Sequence, residues 1–195
     1  MMKSLKKTRT AENLLKAFAG ESQARNRYTF YASTAGKEGY EQIKAIFLET
    51  ADNERMHAKL FYMHLVGQLN EDPVEIAAGY PVAFADTKKN LEYAANGEHE
   101  EWNALYPEFA RVADEEGFPE AAKTFRQVAL VEKRHEQRYR KLLRNVCENS
   151  VFEKKSKVLW KCRECGHVIE SAQAPNRCPV CEHPQAFFEV FVENY

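Results

Sequence analysis

Two Glu-x-x-His pairs, Glu54–His57 and Glu132–His135, and two Gly-Glu pairs, Gly20–Glu21 and Gly97–Glu98, are the residues of this chain best suited to chemistry. Three positions along a helix is close to one turn, so each glutamate and its histidine point the same way. Carboxylate oxygen together with imidazole nitrogen suits iron, manganese or zinc. A lone Glu-x-x-His is ordinarily a solvated charge pair. Two copies, with two further glutamates each preceded by glycine, are a different matter. Residues 21 and 98 stand 77 positions apart and residues 54 and 132 stand 78 apart, a weak internal repeat that sets all four acids at one level. A fifth acid, Glu101, follows Glu98 by three. His64, His99, His167 and His183 lack such partners and are expected at the surface or behind the ligands.

The second cluster is made of thiols. Cys162-x-x-Cys165 and Cys178-Pro179-x-Cys181 are separated by 12 residues, and two such knuckles bind one metal tetrahedrally through four thiolates. In a chain with no secretory signal this reads as a metal site rather than two disulfides. The motif leaves iron and zinc both open. Trp160 and the aromatic run Phe187, Phe188 and Phe191 are candidates to shield it. Cys147 stands apart and is expected to be a packed thiol at a helix end.

Four helical stretches must carry the acids. They are read at about Thr10–Ala35, Tyr40–Val66, Val82–Glu116 and Pro119–Cys147. Their inward stripes follow the helical period. The first holds Leu14, Phe18, Glu21, Tyr28 and Ala32, and the second Phe47, Thr50, Glu54, His57 and Phe61. The third runs Phe84, Leu91, Ala95, Glu98, Trp102, Leu105 and Phe109, and the fourth Phe125, Val128, Glu132, His135 and Tyr139. Short turns at Gly36–Gly39 and Gly117–Pro119 make two antiparallel hairpins, and the longer Gly67–Pro81 is a crossover. Two hairpins with one long crossover is the ferritin-like arrangement. Pro107 removes a hydrogen bond to the carbonyl of Asn103, so a kink is expected there. After about Lys154 the chain turns to short β-prone runs, Lys157–Lys161 and Phe187–Phe191, and turn residues, with Phe152–Lys157 as a lysine-rich linker. The domains are thus read as 1–153 and 154–195.

Buried carboxylates need basic partners, protons or metal cations. Arg25 and Arg27 lie near Glu21 in sequence, but no lysine or arginine recurs on the stripes at the acid level. A glutamate from each of two helices plus Glu-x-x-His from the other two is the di-iron carboxylate pattern.

With these motifs in place, the chain resembles the rubrerythrin family over almost its whole length. The carrying residues are Gly20-Glu21-Ser22-Gln23-Ala24-Arg25, Glu54-x-x-His57, Gly97-Glu98-x-x-Glu101, Glu132-x-x-His135 and the two cysteine knuckles. The resemblance implies an all-α ferritin-like four-helix bundle with a small C-terminal rubredoxin-like β/loop metal domain. It implies two irons in a carboxylate-bridged site and one iron on Cys162, Cys165, Cys178 and Cys181, with zinc able to take that place in recombinant protein. Glu54 and Glu132 would bridge, Glu21, Glu98 and Glu101 would be further ligands, and His135 a permanent one. Tyr28 and Tyr106 fit tyrosines just behind the acids. The implied activity is reduction of hydrogen peroxide to water in oxidative stress defence. Electrons would come through the thiolate-bound iron from rubredoxin or an NAD(P)H reductase, in a homodimer or larger assembly. Glu101 and His57 would be the catalytic pair, Glu101 as proton relay and as the acid that leaves one iron on reduction when His57 takes its place. The knuckles stand closer together than in free rubredoxin, and Glu182 takes the place of a glycine.

A ferroxidase or iron-storage protein would use the same bundle but needs no built-in electron donor, and a zinc-ribbon interaction protein would have no use for five inward acids. Composition narrows the rest. With 28 basic and 29 acidic side chains the net charge is −1, which gives no pull toward nucleic acid or an anionic membrane. Apolar residues make up 44%, enough for a core, and the mean hydropathy of −0.61 describes a heavily charged surface. No apolar run approaches the roughly 20 residues that span a bilayer. A soluble, cytoplasmic protein is the expectation.

Overall fold

The computed structural model describes residues 4–69 and 71–194. Residues 1–3 and 195, at the outer ends of the two expected domains, and residue 70, in the expected crossover, lie outside the described residues. Helix α1 (Arg9–Lys37) starts at Thr8, whose side chain accepts from the Ala11 N–H at 3.1 Å. Gly39, at φ +83°, reverses the chain into α2 (Glu41–Leu69). Past α2 the chain runs back beside α1. Tyr80 donates to the Lys16 carbonyl at 2.9 Å, Tyr31 to the Ala83 carbonyl at 2.7 Å, and the Thr87 N–H to Glu38 at 3.0 Å. The crossover therefore traverses most of the length of α1, as the two-hairpin topology requires.

The third rod is composite. It consists of α3 (Thr87–Glu100), a π-helical turn (Glu101–Leu105) and α4 (Tyr106–Glu115), and it returns through Gly117, at φ +78°, into α5 (Pro119–Cys147). It starts at Thr87 with Asp86 as its cap, not at Val82, and Phe84 is exposed rather than on the inner stripe. The expected kink at Pro107 is instead the π turn: the Tyr106 N–H reaches back five residues to the Glu101 carbonyl. The added residue rephases the rod. Tyr106 and Ala110 are buried, Leu105 is exposed, and Trp102 packs to the side, so the stripe predicted through Trp102 and Leu105 is displaced by one position.

Two apolar clusters fill the bundle. Leu14, Phe61, Tyr106 and Phe125 belong to one, and Tyr28, Phe47, Leu91 and Tyr139 to the other. On every rod the acids fall in the gap between them, so the core is interrupted by a single polar layer.

The C-terminal part is a three-stranded antiparallel sheet ordered β2-β1-β3, with β1 (Glu153–Cys162) in the centre. Trp160 pairs with Ile169 of β2 (Val168–Gln173) and with Val190 of β3 (Phe188–Val190). Strand β2 has no counterpart in the sequence reading, and the expected linker is largely the start of β1, fixed where Phe152 stacks on Tyr40 at 6.1 Å. Trp160 and Phe188 are buried with Cys162 and Cys178 as expected, while Phe191 is half-buried outside that cluster. Cys147 is exposed at the end of α5, which corrects its reading as a packed thiol. No helix among the described residues is long and apolar enough to cross a membrane.

Candidate metal centres

The polar layer resolves into two sets that share two members. Glu21, Glu54, His57 and Glu132 form one, and Glu54, Glu98, Glu132 and His135 the other, each with its ligand atoms within 4.8 Å of one another. Glu54 turns Oε2 to His57 Nδ1 at 2.9 Å and Oε1 to His135 Nδ1 at 3.3 Å. Glu132 does the same with its two oxygens, at 2.7 and 2.8 Å. Each carboxylate therefore spans both positions, the geometry of a bridge.

Those close approaches are mostly not hydrogen bonds. Glu21 Oε2, Glu54 Oε1, Glu98 Oε2, both Glu132 oxygens and His135 Nδ1 are buried without a hydrogen-bond partner. Such orphans cost about 1–3 kcal/mol each. They gather around two positions instead of meeting a donor. Ligands about 2.1 Å from one metal at right angles stand about 3 Å apart, which is the spacing found. The donor set thus fits two metal ions.

The electrostatics are those of acids crowded around two imidazoles. Burial, then Glu132, holds Glu21 well above the usual carboxylate range; burial, then Glu98, does so for Glu101. Burial, then Glu54, pushes Glu98 up to about 8. Burial alone would lower both histidines, but Glu132 and Glu54 outweigh it and carry His57 up to about 10 and His135 up to about 12. Against burial, the two histidines hold Glu132 below its ordinary value. Among the described residues, the ion pairs of Glu21, Glu54, Glu98 and Glu132 involve only these two histidines. Metal cations at the centre would displace the protons that these shifts hold on the acids and imidazoles.

Tyr28 donates to Glu98 at 2.5 Å and Tyr106 to Glu21, so each terminal acid is held by a buried tyrosine from a neighbouring rod. Glu101 lies near Glu54, Glu98 and Glu132 but belongs to neither four-residue set; it lines a cavity beside Tyr106. Sequence reasoning missed Glu136. It sits next to His135, accepts from the Trp102 indole at 2.5 Å and Arg140 at 2.6 Å, lies 3.1 Å from His99, and so ties the π turn to α5. An acid directly after Glu-x-x-His was the available signal, but nothing in the pattern of residues showed that Trp102 would turn toward it. His64 meets Thr124, and His183 packs edge-on against Phe187, both away from the acids.

The thiol cluster is built differently. Cys162 and Cys181 sulfurs stand 3.7 Å apart and Cys165 and Cys178 3.6 Å, too far for the about 2.05 Å of a disulfide. Four sulfurs about 2.3 Å from a tetrahedral metal would be about 3.8 Å apart. The two knuckles repeat each other. Cys162 N–H donates to the His167 carbonyl and Gly166 N–H to Cys162, just as Cys178 N–H donates to His183 and Glu182 N–H to Cys178. Backbone N–H groups also face the sulfurs. Burial opposes ionisation of Cys178, yet the N–H groups of Cys181 and Val180 bring it down to about 6.

A four-rod bundle with carboxylates shared between two imidazoles, joined to a tetrathiolate module, defines a ferritin-like di-iron protein with a rubredoxin-like tail. The rubrerythrin family profile matches residues 12–143, and the profile "Rubrerythrin, rubredoxin-like domain" matches residues 160–189. The chain belongs to the rubrerythrin family. It is 61% identical to rubrerythrin-1 of Clostridium acetobutylicum and 59% identical to rubrerythrin of Clostridium perfringens, in each case over all of both chains. Among solved structures it is similar to fully reduced, all-ferrous nigerythrin, with a TM-score of 0.64 and 30% identity over 96% of this chain and 92% of that one. Two irons in the carboxylate site and one in the tetracysteine site are its cofactors.

Proposed function

We propose that this chain is an oxidoreductase that reduces hydrogen peroxide to water in the bundle, fed with single electrons through its tetracysteine iron from an external rubredoxin or NAD(P)H-linked reductase. The observation that carries the reading is the sharing of Glu54 and Glu132 by two metal positions in a chain that also holds a closed four-thiolate site. When bound, the iron pair supplies two electrons at adjacent Lewis-acid positions, and the thiolate-bound iron supplies them one at a time. Glu54 and Glu132 hold the two positions in register, while Glu21, Glu98 and His135 complete them. Tyr28 and Tyr106 fix the outer acids through their hydroxyls. Glu101, which lines the cavity, would hold a proton at its carboxylate for a departing oxygen. His57 and Glu101 serve as alternative ligands, and the set gathered here contains His57.

The arrangement also supports a multimer. The sheet module rests on the α1–α2 turn, where a Cβ on Gly39 would lie 3.7 Å from the Cβ of Ala186. From Tyr40 to Glu54 along α2 is about 20 Å. A second subunit whose tetracysteine centre reaches this bundle would shorten the electron's path, and we take residues 1–153 and 154–195 as the two functional domains. The test is anaerobic: chemically reduced, iron-loaded protein mixed with peroxide or dioxygen. One peroxide consumed per two bundle electrons, faster than oxidation by dioxygen at equal concentration, is expected. Slow peroxide oxidation, or iron accumulating far beyond three per chain, would replace this reading with iron handling.

A further inference from the structure

Gly20 and Gly97 are not explained by the metal centres. Each sits inside a long helix, where glycine costs about 1 kcal/mol relative to alanine. Neither has a positive φ that would call for glycine. Neither is required by close packing: a Cβ on Gly20 would meet Tyr80 Cε1 at an ordinary 3.6 Å, and one on Gly97 would meet nothing within 4 Å. What they share is empty space. A cavity of about 320 Å³ lies between α1, the π turn and the crossover, and both glycines line it together with Glu101, Tyr106 and Tyr80. Its inner wall is the site's own, since Tyr106 donates to Glu21. At its outer edge Leu105 and Tyr80 are exposed, and the Tyr80 hydroxyl is anchored on the Lys16 carbonyl at 2.9 Å.

We propose that this cavity is the port through which a small neutral oxidant reaches the Glu101 side of the dinuclear site, and that Gly20 and Gly97 set its width by carrying no side chain. A hydrogen at each position leaves the passage open from both walls, α1 on one side and α3 on the other. Lys16 and Arg27 line it together with Glu100 and Glu101, a mixed set of charges that favours neither sign of ion and suits a small polar molecule. The identity of the oxidant as peroxide rests on the function proposed above, but the port does not.

The test uses a probe that does not depend on peroxide chemistry. Nitric oxide is mixed with the reduced, iron-loaded full-length protein, and association and dissociation rates are followed by absorbance. Gly97→Leu places a side chain in open space, so both rates should fall about tenfold or more while the dissociation constant and iron content stay unchanged. Gly97→Ala and, from the opposite wall, Gly20→Ala should slow both rates by less. Wild-type rates in Gly97→Leu would overturn the proposal. So would a weakened dissociation constant with unchanged association, because the glycines would then serve the site's packing. The expected rate pattern in a protein that fails to reduce peroxide would keep the port and reject the peroxidase reading.

Discussion

The bundle site and the cysteine module hold metal by opposite strategies. The bundle draws its site residues from four rods, spread from Glu21 to His135, and leaves six of their polar atoms buried without a hydrogen-bond partner. The module takes its four ligands from 20 consecutive residues and holds them with backbone hydrogen bonds repeated in each knuckle. In the first pattern no local turn fixes any one ligand, so each is held by packing and by its neighbours across the bundle. The second builds a closed site with no open position, suited to passing electrons without rearrangement.

The largest expected effects follow from which ligands are shared. Glu54→Ala or Glu132→Ala removes a carboxylate common to both positions, so metal analysis should fall from about three irons per chain to about one, with the thiolate absorption intact. Two bundle irons still bound at wild-type affinity would break the bridging assignment. Cys162→Ser or Cys178→Ser should do the converse. Donor-driven turnover should be abolished, while a single oxidation of the pre-reduced bundle by peroxide continues at its normal rate. Normal steady-state turnover in a variant shown to lack the module's iron would end the division of labour.

Next in size is the exchange at His57. Ferrous iron is softer than ferric iron and accepts imidazole well, whereas ferric iron favours carboxylate. Here His57 lies within 2.9 Å of both shared acids, Glu54 and Glu132, and Glu101 stands outside the sets. In crystals of oxidised protein Glu101 should be a ligand and His57 free of the metal; after verified reduction the two should have traded places. An iron that keeps Glu101 in both states sinks the idea. Smaller still are the tyrosines. Tyr28→Phe or Tyr106→Phe takes the tyrosine hydroxyl from Glu98 or Glu21 and should weaken iron binding by about tenfold, the lower end for such outer partners. Equal iron affinity by competition with a chelator would show that the hydroxyls serve packing alone.

The gathering of Glu21, Glu54, His57, Glu98, Glu132 and His135 and the bundle topology were legible in the sequence because both depend on periodicity and spacing. Glu54-x-x-His57 and Glu132-x-x-His135 needed only the helical period, and the crossover needed only its length. The errors came where one residue of phase or one tertiary partner decided the outcome. The π turn absorbs Pro107 and moves Tyr106 onto the inner face in place of Leu105, a choice set by packing across the bundle and not by local preference. Glu136 was passed over because its partners Trp102 and His99 lie on another rod. Strand β2 is half exposed and lacks a strong apolar alternation, so its pairing with β1 exists only in three dimensions.

The smallest effect tests how closely the two knuckles match. Gly166 closes the first at φ +78°, and the corresponding residue of the second, Glu182, adopts φ +61°. Both donate their N–H to the first cysteine of their knuckle, so the left-handed turn is imposed by the metal loop and not chosen by the side chain. For a residue with a Cβ that conformation costs about 1 kcal/mol or somewhat more. The Glu182 side chain is exposed and has no hydrogen bond or ion pair among those described that would offset the cost. Glu182→Gly should therefore stabilise the module by roughly 1 kcal/mol, less the entropy that glycine returns to the unfolded chain. The rate at which a chelator strips the thiolate-bound metal should fall correspondingly, while the bundle's iron content and its reaction with peroxide stay as they were. Gly166→Glu should produce the opposite change of similar size. If both substitutions leave the stripping rate unaltered, the knuckles do not share their strain, and the likeness between them is one of shape alone.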